Sequence, residues 1–249
     1  MRILHLSDCH LHDSKTEIKA GYNTYKSLQS VINLALESKQ EFDIAIISGD
    51  ICQTPSAASY ALFEQLISQL EIPFLAVPGN HDNPALLKTV APHCPDELAT
   101  STIIKNTYFL LINSQVINQE YGEVCENDLQ HIETLLEQHR TLVTVVIIHH
   151  PPVLTGSLWM DKIGLRNKST FIETLTRFSN VKTVLLGHVH QEIDQQYAQL
   201  RILGTPSTCY QFKPNSESVD YDTKRPGFRY IHLDASGEVK TSVKRIDHV

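Results

Sequence analysis

Five short apolar runs in this chain each stop at a turn that carries Asp, Asn or His, and no other feature narrows the fold as much. ILHLS leads into Asp8-Cys9-His10, DIAIIS into Gly49-Asp50 and PFLAVP into Gly79-Asn80-His81-Asp82. LVTVVII leads into His149-His150-Pro151-Pro152, and VKTVLL into Gly187-His188-Val189-His190. A short apolar run bounded by turn residues reads as a buried strand. In open α/β sheets, sites form beyond the carboxyl ends of such strands. Five strands therefore bring Asp8, His10, Asp50, Asn80, His149, His188 and His190 to one rim.

The first half alternates strand and helix. Strands at about 2–7, 43–48 and 72–77 precede helices at about 23–38, from Pro55 to about 70, and from Asn83-Pro84 onward. Either Asp82 or Asn83 can cap that third helix, and Pro84 suits its first turn; Asp82 could instead orient a ligand or His81. This βαβ rhythm implies parallel strands with right-handed crossovers. In the middle, Ser101–Lys105 and Thr107–Asn113 read as a hairpin, followed by a helix at about 126–139. A strand at 142–149, a helix at about 168–178 and a strand at 181–186 repeat the alternation. After His190 the signals are β, at about 192–197, 199–204, 228–234 and 238–245, with turns at Tyr197–Leu200 and Ala235-Ser236-Gly237. The expected fold is α/β, two mixed sheets flanked by helices, in one domain over residues 1–249. The polar, Pro-containing segment 206–227 is long for a connection and is expected to be a lid or substrate loop.

With 41% hydrophobic and 20% charged residues, the composition is that of an ordinary globular protein. No apolar stretch approaches the roughly 18 residues a membrane helix needs, and the N-terminal apolar run is too short for a signal peptide. The five cysteines form no CxxC pair. An odd, unpaired set fits a reducing compartment, so the cytoplasm is expected. The net charge of −7 and the absence of a basic run argue against a nucleic-acid polymer as partner. The chain is expected to be a monomer or homodimer acting on a small molecule.

Asp8 and His10 are two residues apart, as are His188 and His190. A strand-like exit would point each pair the same way. Seven oxygen and imidazole donors are too many for one ion and suit two divalent ions, roughly 3.5–4 Å apart if Asp50 bridges them. Two such ions leave the site positive enough to attract a phosphate ester. They lower the pKa of bound water and so supply a hydroxide nucleophile near neutral pH. His81 is not needed as a ligand. It is expected to act on the substrate, steadying a phosphoryl oxygen or protonating the leaving group.

The ordered set Asp8-x-His10, Gly49-Asp50, Gly79-Asn80-His81-Asp82, His149 and Gly187-His188-x-His190 resembles the calcineurin-like metallophosphoesterase superfamily. The resemblance implies a four-layer α/β/β/α sandwich and a dinuclear site of iron or manganese, with zinc, cobalt or nickel also possible. It implies that Asp8, His10 and His190 hold one metal. Asn80, His149 and His188 would hold the other, and Asp50 would bridge. Asn80, His81 and His188 would surround the phosphoryl oxygens of the substrate. GSLWMDKIGLRN (156–167) and TPSTCYQFKP (205–214) extend the likeness to bacterial class III 3′,5′-cyclic AMP phosphodiesterases of the CpdA-like type. This implies hydrolysis of 3′,5′-cyclic AMP to 5′-AMP, with glycerophosphodiesters or 2′,3′-cyclic nucleotides as alternative substrates. A non-catalytic scaffold on the same fold is the remaining alternative. Cys9 stands where such proteins often carry Thr, and a thiol between two ligands implies sensitivity to oxidation.

Trp159, Tyr210 and Phe212 lie in loop-like segments and are candidates for a lid or base-stacking surface. Arg166, Asn167 and Lys213 are candidates for contacts to phosphate, ribose or base. His12 could line the mouth, and His150 could support His149. His5, His93, His131, His139, His232 and His248 read as structural or surface residues, and the cysteines as small buried apolar groups.

Overall fold

The computed structural model describes residues 1–247, so His248 lies outside the described residues. The chain opens with β1 (Arg2–Leu6), α1 (Thr24–Glu37), β2 (Ile44–Ile47), α2 (Ala57–Ile67), β3 (Phe74–Ala76) and α3 (Pro84–Val90). The hairpin β4 (Thr100–Ile104) and β5 (Thr107–Leu111) leads to α4 (Glu126–Gln138) and β6 (Val143–Ile147). Then come α5 (Leu158–Ile163), α6 (Lys168–Thr176) and β7 (Val181–Leu186). Two hairpins follow, β8 (Ile193–Tyr197) with β9 (Leu200–Gly204), and β10 (Gly227–Leu233) with β11 (Val239–Arg245).

Local chemistry starts the early helices. The Asn23 side chain accepts from Lys26 N at α1, and Ser56 with Ser59 forms a capping box at α2. At α3 the cap is Asn83, which accepts from Leu86 N, and Pro84 follows in the first turn. Asp82 is therefore not a cap; its carboxylate is used elsewhere.

One sheet has the order β11-β10-β1-β2-β3, and the other β8-β9-β7-β6-β5-β4. β1, β2 and β3 are parallel, as are β5, β6, β7 and β9. The remaining neighbours are antiparallel. Strands buried on both faces carry unbroken apolar runs, and here the alternate faces feed different cores. Leu4, Leu6, Ala45 and Ile47 pack with α1, α2 and α3. Ile3, Ile44, Ile46 and Leu75 face Phe109, Val145, Ile147 and Leu185 of the other sheet. Leu110, Val146, Val184 and Leu186 pack with α4 and α6. Three cores between four layers give the α/β/β/α sandwich.

Two segments differ from the sequence reading. Residues 158–163 form a helix, α5, where a loop was expected; six residues are too few to show a helical period. Segment 206–227 divides. Ser207–Gln211 is buried under the ends of the sheets, while Gln211–Phe212 pairs with Tyr221–Asp222 in a small hairpin whose connecting loop is mostly exposed. Among the described residues no helix is long and apolar enough to cross a membrane.

Candidate metal centre and cleft

β1, β2, β3, β6 and β7 all end at one rim, and the seven donors lie within four residues of those ends. They are not strand-like exits. Asp8, His10, Asp50, His188 and His190 have φ of 54°, 46°, 49°, 68° and 48°. Left-handed backbone is uncommon outside glycine and costs of order 1–3 kcal/mol per residue, which the surroundings must offset. Here the loops after β1 and β2 bind each other. Asp8 N donates to Gly49 O (3.0 Å), His10 N to Asp50 O (2.9 Å) and Leu11 N to Ile51 O (2.9 Å). Gly49 (φ +97°) packs its backbone on the His149 ring, and a methyl on Gly79 would run into the Asp50 carboxylate.

The ring protons can be assigned from their partners. His149 Nδ1 donates to Ser48 O (2.7 Å), and His190 Nδ1 donates to Tyr210 O (2.8 Å). Both turn Nε2 toward the cluster. Around His149 Nε2 stand Asn80 Oδ1 at 3.3 Å, His188 Nδ1 at 3.2 Å and Asp50 Oδ2 at 3.5 Å. Around His190 Nε2 stand His10 Nε2 at 3.1 Å and Asp8 Oδ1 at 3.4 Å. Asp50 Oδ2 also lies 3.8 Å from His10 Nε2, so one oxygen faces both groups.

Ligand atoms thus converge at two adjacent points, and all of the set but the half-buried Asn80 is deeply buried. Such an arrangement calls for cations. The electrostatics agree. Burial pushes His10 and His188 down to about 3, keeping both neutral as metal ligands must be. At His149 burial opposes the charge but Asp50 outweighs it, raising the ring to about 9. Despite burial, His149 holds the Asp50 carboxyl well below its ordinary value, and His190 lowers Asp8. The cluster draws positive charge inward, and its oxygen and imidazole donors fit divalent transition metals.

Five of these donors, His10, Asp50, Asn80, His188 and His190, floor a cleft of about 430 Å³. His81 lines it. Its backbone N donates to Asp50 Oδ1 (3.0 Å), and its Nδ1 faces Gln53 Nε2 at 3.2 Å. An amide N–H can only donate, so Nδ1 accepts and the proton sits on Nε2. Trp159, Tyr210 and Phe212 also line the cleft, with Tyr221, Lys19, Lys162 and Glu120. His12 does not. Arg166 lies over the Tyr121 ring at 3.3 Å, Asn167 brackets the backbone of Val124, and Lys213 pairs with Asp220 at 3.1 Å. All three are occupied outside the cleft, contrary to the substrate contacts expected for them.

Supporting residues surround the donors, and of these Gln53 and Gln115 escaped the sequence reading. Asp82 accepts from Ile51 N, Cys52 N, Gly79 N and the Tyr60 hydroxyl at 2.9–3.1 Å, tying the Asp50 loop to the Asn80 loop. Burial, reinforced by Asp50, raises its carboxyl to about 6. Gln115 clamps the carbonyls of Gly79 and Asp82. His150 is buried between Ser114 Oγ (2.8 Å) and Glu120 O (3.2 Å), fixing the loop that carries Glu120. Gln53 stands three residues past Asp50, but no local pattern links it to His81. Cys9 is buried and burial pushes its thiol well above the ordinary range, which counters the expected oxidation sensitivity. Cys125 is exposed, unlike the other four cysteines. His5, His131 and His139 bond Ser48 Oγ, Ala99 O and Leu135 O, away from the cleft.

Residues 1–192 match the calcineurin-like phosphoesterase family. The 3′,5′-cyclic adenosine monophosphate phosphodiesterase CpdA of Escherichia coli K12 is 36% identical over 247 residues, covering 99% of this chain and 90% of that protein. A 3′,5′-cyclic-nucleotide phosphodiesterase of Nostoc is 30% identical over 246 residues, covering 99% and 92%. Among solved structures, a dimetal phosphatase from Danio rerio has the same fold, with a TM-score of 0.68 at 12% identity over 96% of this chain and 98% of that one.

Proposed function

This chain belongs to the calcineurin-like phosphoesterase family, and we propose that it hydrolyses 3′,5′-cyclic AMP to 5′-AMP at a two-metal centre. The observation that carries this reading is the convergence of the seven donors beneath one cleft large enough for a nucleotide, with His10, Asp50, Asn80, His188 and His190 lining it and Asp8 and His149 packed behind them. The relatives named as cyclic AMP phosphodiesterases align over nearly their whole length, which supports the choice of substrate.

Asp8, His10 and His190 would hold one ion, Asn80, His149 and His188 the other, and Asp50 both. Iron or manganese is the proposed pair, and zinc, cobalt or nickel suit the same donors. Bound divalent ions would acidify water and polarise the phosphoryl group. The protein supplies the rest. His149 and His190 keep their protons on the ring nitrogens facing Ser48 and Tyr210, which orients each Nε2 inward. The Asn80 amide and His188 Nε2, a buried nitrogen with no partner among the described residues, offer donors to phosphoryl oxygens. Gln53 holds the neutral His81 ring through Nδ1, so its Nε2–H is offered as a hydrogen-bond donor that steadies a phosphoryl oxygen or the departing 3′ oxygen. The exposed part of segment 206–227 serves as a substrate loop. The compartment is the cytoplasm, consistent with five free thiols.

The test is turnover by metal-stripped protein refilled with Mn²⁺ or Fe²⁺. Substrates are 3′,5′-cyclic AMP, 2′,3′-cyclic AMP, glycerophosphoethanolamine and an aryl phosphodiester. The highest kcat/KM is expected for 3′,5′-cyclic AMP. Faster cleavage of another diester would reduce the assignment to a phosphodiesterase of different target. No turnover with any metal would restore the scaffold alternative.

A further inference from the structure

The wall of the cleft above the metal donors is built from aromatic rings. A tilted and then a stacked ring step outward from His190. Phe212 lies 4.5 Å from it with 36° between planes, and Tyr221 lies 5.9 Å from Phe212 at 22°. Trp159 meets Phe212 edge-on at 4.8 Å. Phe212 and Trp159 pack partly on the core beneath α4 and α6. Tyr221 belongs to none of the three cores, yet it lines the cleft and leaves 52% of its surface exposed. A large ring at the mouth of a site, seated on Phe212 and edge-on to Tyr210 (5.5 Å) with half its surface still in water, offers that open surface to a flat apolar ligand.

The ring is also pre-organised. Gln211–Phe212 pairs with Tyr221–Asp222, and the Lys213–Asp220 ion pair (3.1 Å) closes the loop between them. Its tip is bolted to α5, where Trp159 Nε1 donates to Ser216 Oγ and Leu158 N donates to Ser216 O, both at 3.0 Å. A ligand stacking on Tyr221 therefore orders little that is not already ordered, and more of the contact energy appears as affinity.

We infer that the hairpin 211–222, with Tyr221 as its outer ring, is the nucleobase platform that sets substrate preference. This rests on the phosphodiesterase reading above. A π-face accepts any base, so the platform favours nucleotides over glycerol or ethanolamine esters without choosing strictly among bases.

The experiment compares wild type, Tyr221→Ala and Tyr221→Phe, each loaded with Mn²⁺. Base stacking lost to alanine is expected to raise KM for 3′,5′-cyclic AMP about tenfold with kcat unchanged. Tyr221→Phe should restore the wild-type KM. Metal content and inhibition by inorganic phosphate, which report the floor alone, should not move. An unchanged KM in Tyr221→Ala, or weaker phosphate inhibition to the same extent, would overturn the platform. A wild type that does not turn over 3′,5′-cyclic AMP overturns the functional reading instead. Equilibrium binding of 5′-AMP then decides the platform alone, with equal affinities against it and a tenfold loss for it.

Discussion

The floor and the wall of the cleft are built by opposite means. The floor is buried, and five of its seven donors stand on left-handed turns that only mutual hydrogen bonds between loops can maintain. The wall is a short hairpin and a six-residue helix, half in water and fastened by a few polar contacts. Strain at the floor fixes where charge goes, so it should govern rate. The wall offers area, so it should govern affinity. They meet around His190, which donates to Tyr210 O and lies 4.5 Å from the Phe212 ring, and the Tyr210 ring stacks on His10 at 5.4 Å.

The largest effect should come from Asp50. Its Oδ2 faces both donor groups, and its Oδ1 holds the His81 backbone. Asp50→Ala should lose metal, measured by elemental analysis, and at least about 10³-fold in kcat/KM, roughly 4 kcal/mol. Full metal occupancy in that variant would break the claim that the floor is one unit. His81→Ala should keep both metals and lose about 10²-fold in kcat at nearly constant KM. A variant with wild-type kcat would remove His81 from the reaction.

How much of this was legible beforehand follows the same division. The floor announced itself because each donor ends a contiguous apolar run, and a buried parallel strand has to be such a run. Its backbone was not legible. The turns at Asp8 and Asp50 depend on a ladder between residues about forty apart, which no local spacing encodes. Asp82 was ambiguous, because an acidic residue before Asn83-Pro84 suits a helix cap as well as it suits a support behind the ligands. The wall was only half legible. Trp159 and Phe212 stood out as aromatics among polar residues, but α5 is too short to show a period. Tyr221, ten residues beyond the buried part of its segment, gave no signal until the hairpin brought it back to Phe212.

Acid should separate the two regions next. His5 lies buried in β1 behind the floor, against Ser48 Oγ at 2.8 Å. Burial, reinforced by Arg229, takes its pKa from 6.5 down to about 3. Below pH 6.5 the unfolded chain binds a proton there and the native chain does not. Stability is therefore lost as pH falls from 6.5 toward 3, by about 1.4 kcal/mol per unit. His5→Gln should be less stable than wild type at pH 7, with that deficit shrinking by about 2 kcal/mol at pH 5 in denaturant titrations. Parallel curves for the two proteins would show that His5 does not set the acid limb.

The smallest effect belongs to the bolt of the wall. Ser216→Ala removes the acceptor for Trp159 Nε1 but leaves Leu158 N bonded to the Ser216 carbonyl. One neutral hydrogen bond at a partly exposed site is worth about 0.5–1.5 kcal/mol, and only part of that bears on substrate. KM for 3′,5′-cyclic AMP should rise about twofold, with kcat, metal content and the pH profile unchanged. A change in kcat instead would mean that loosening the hairpin reaches His190 through Tyr210, and the floor and wall would then have to be treated as one device.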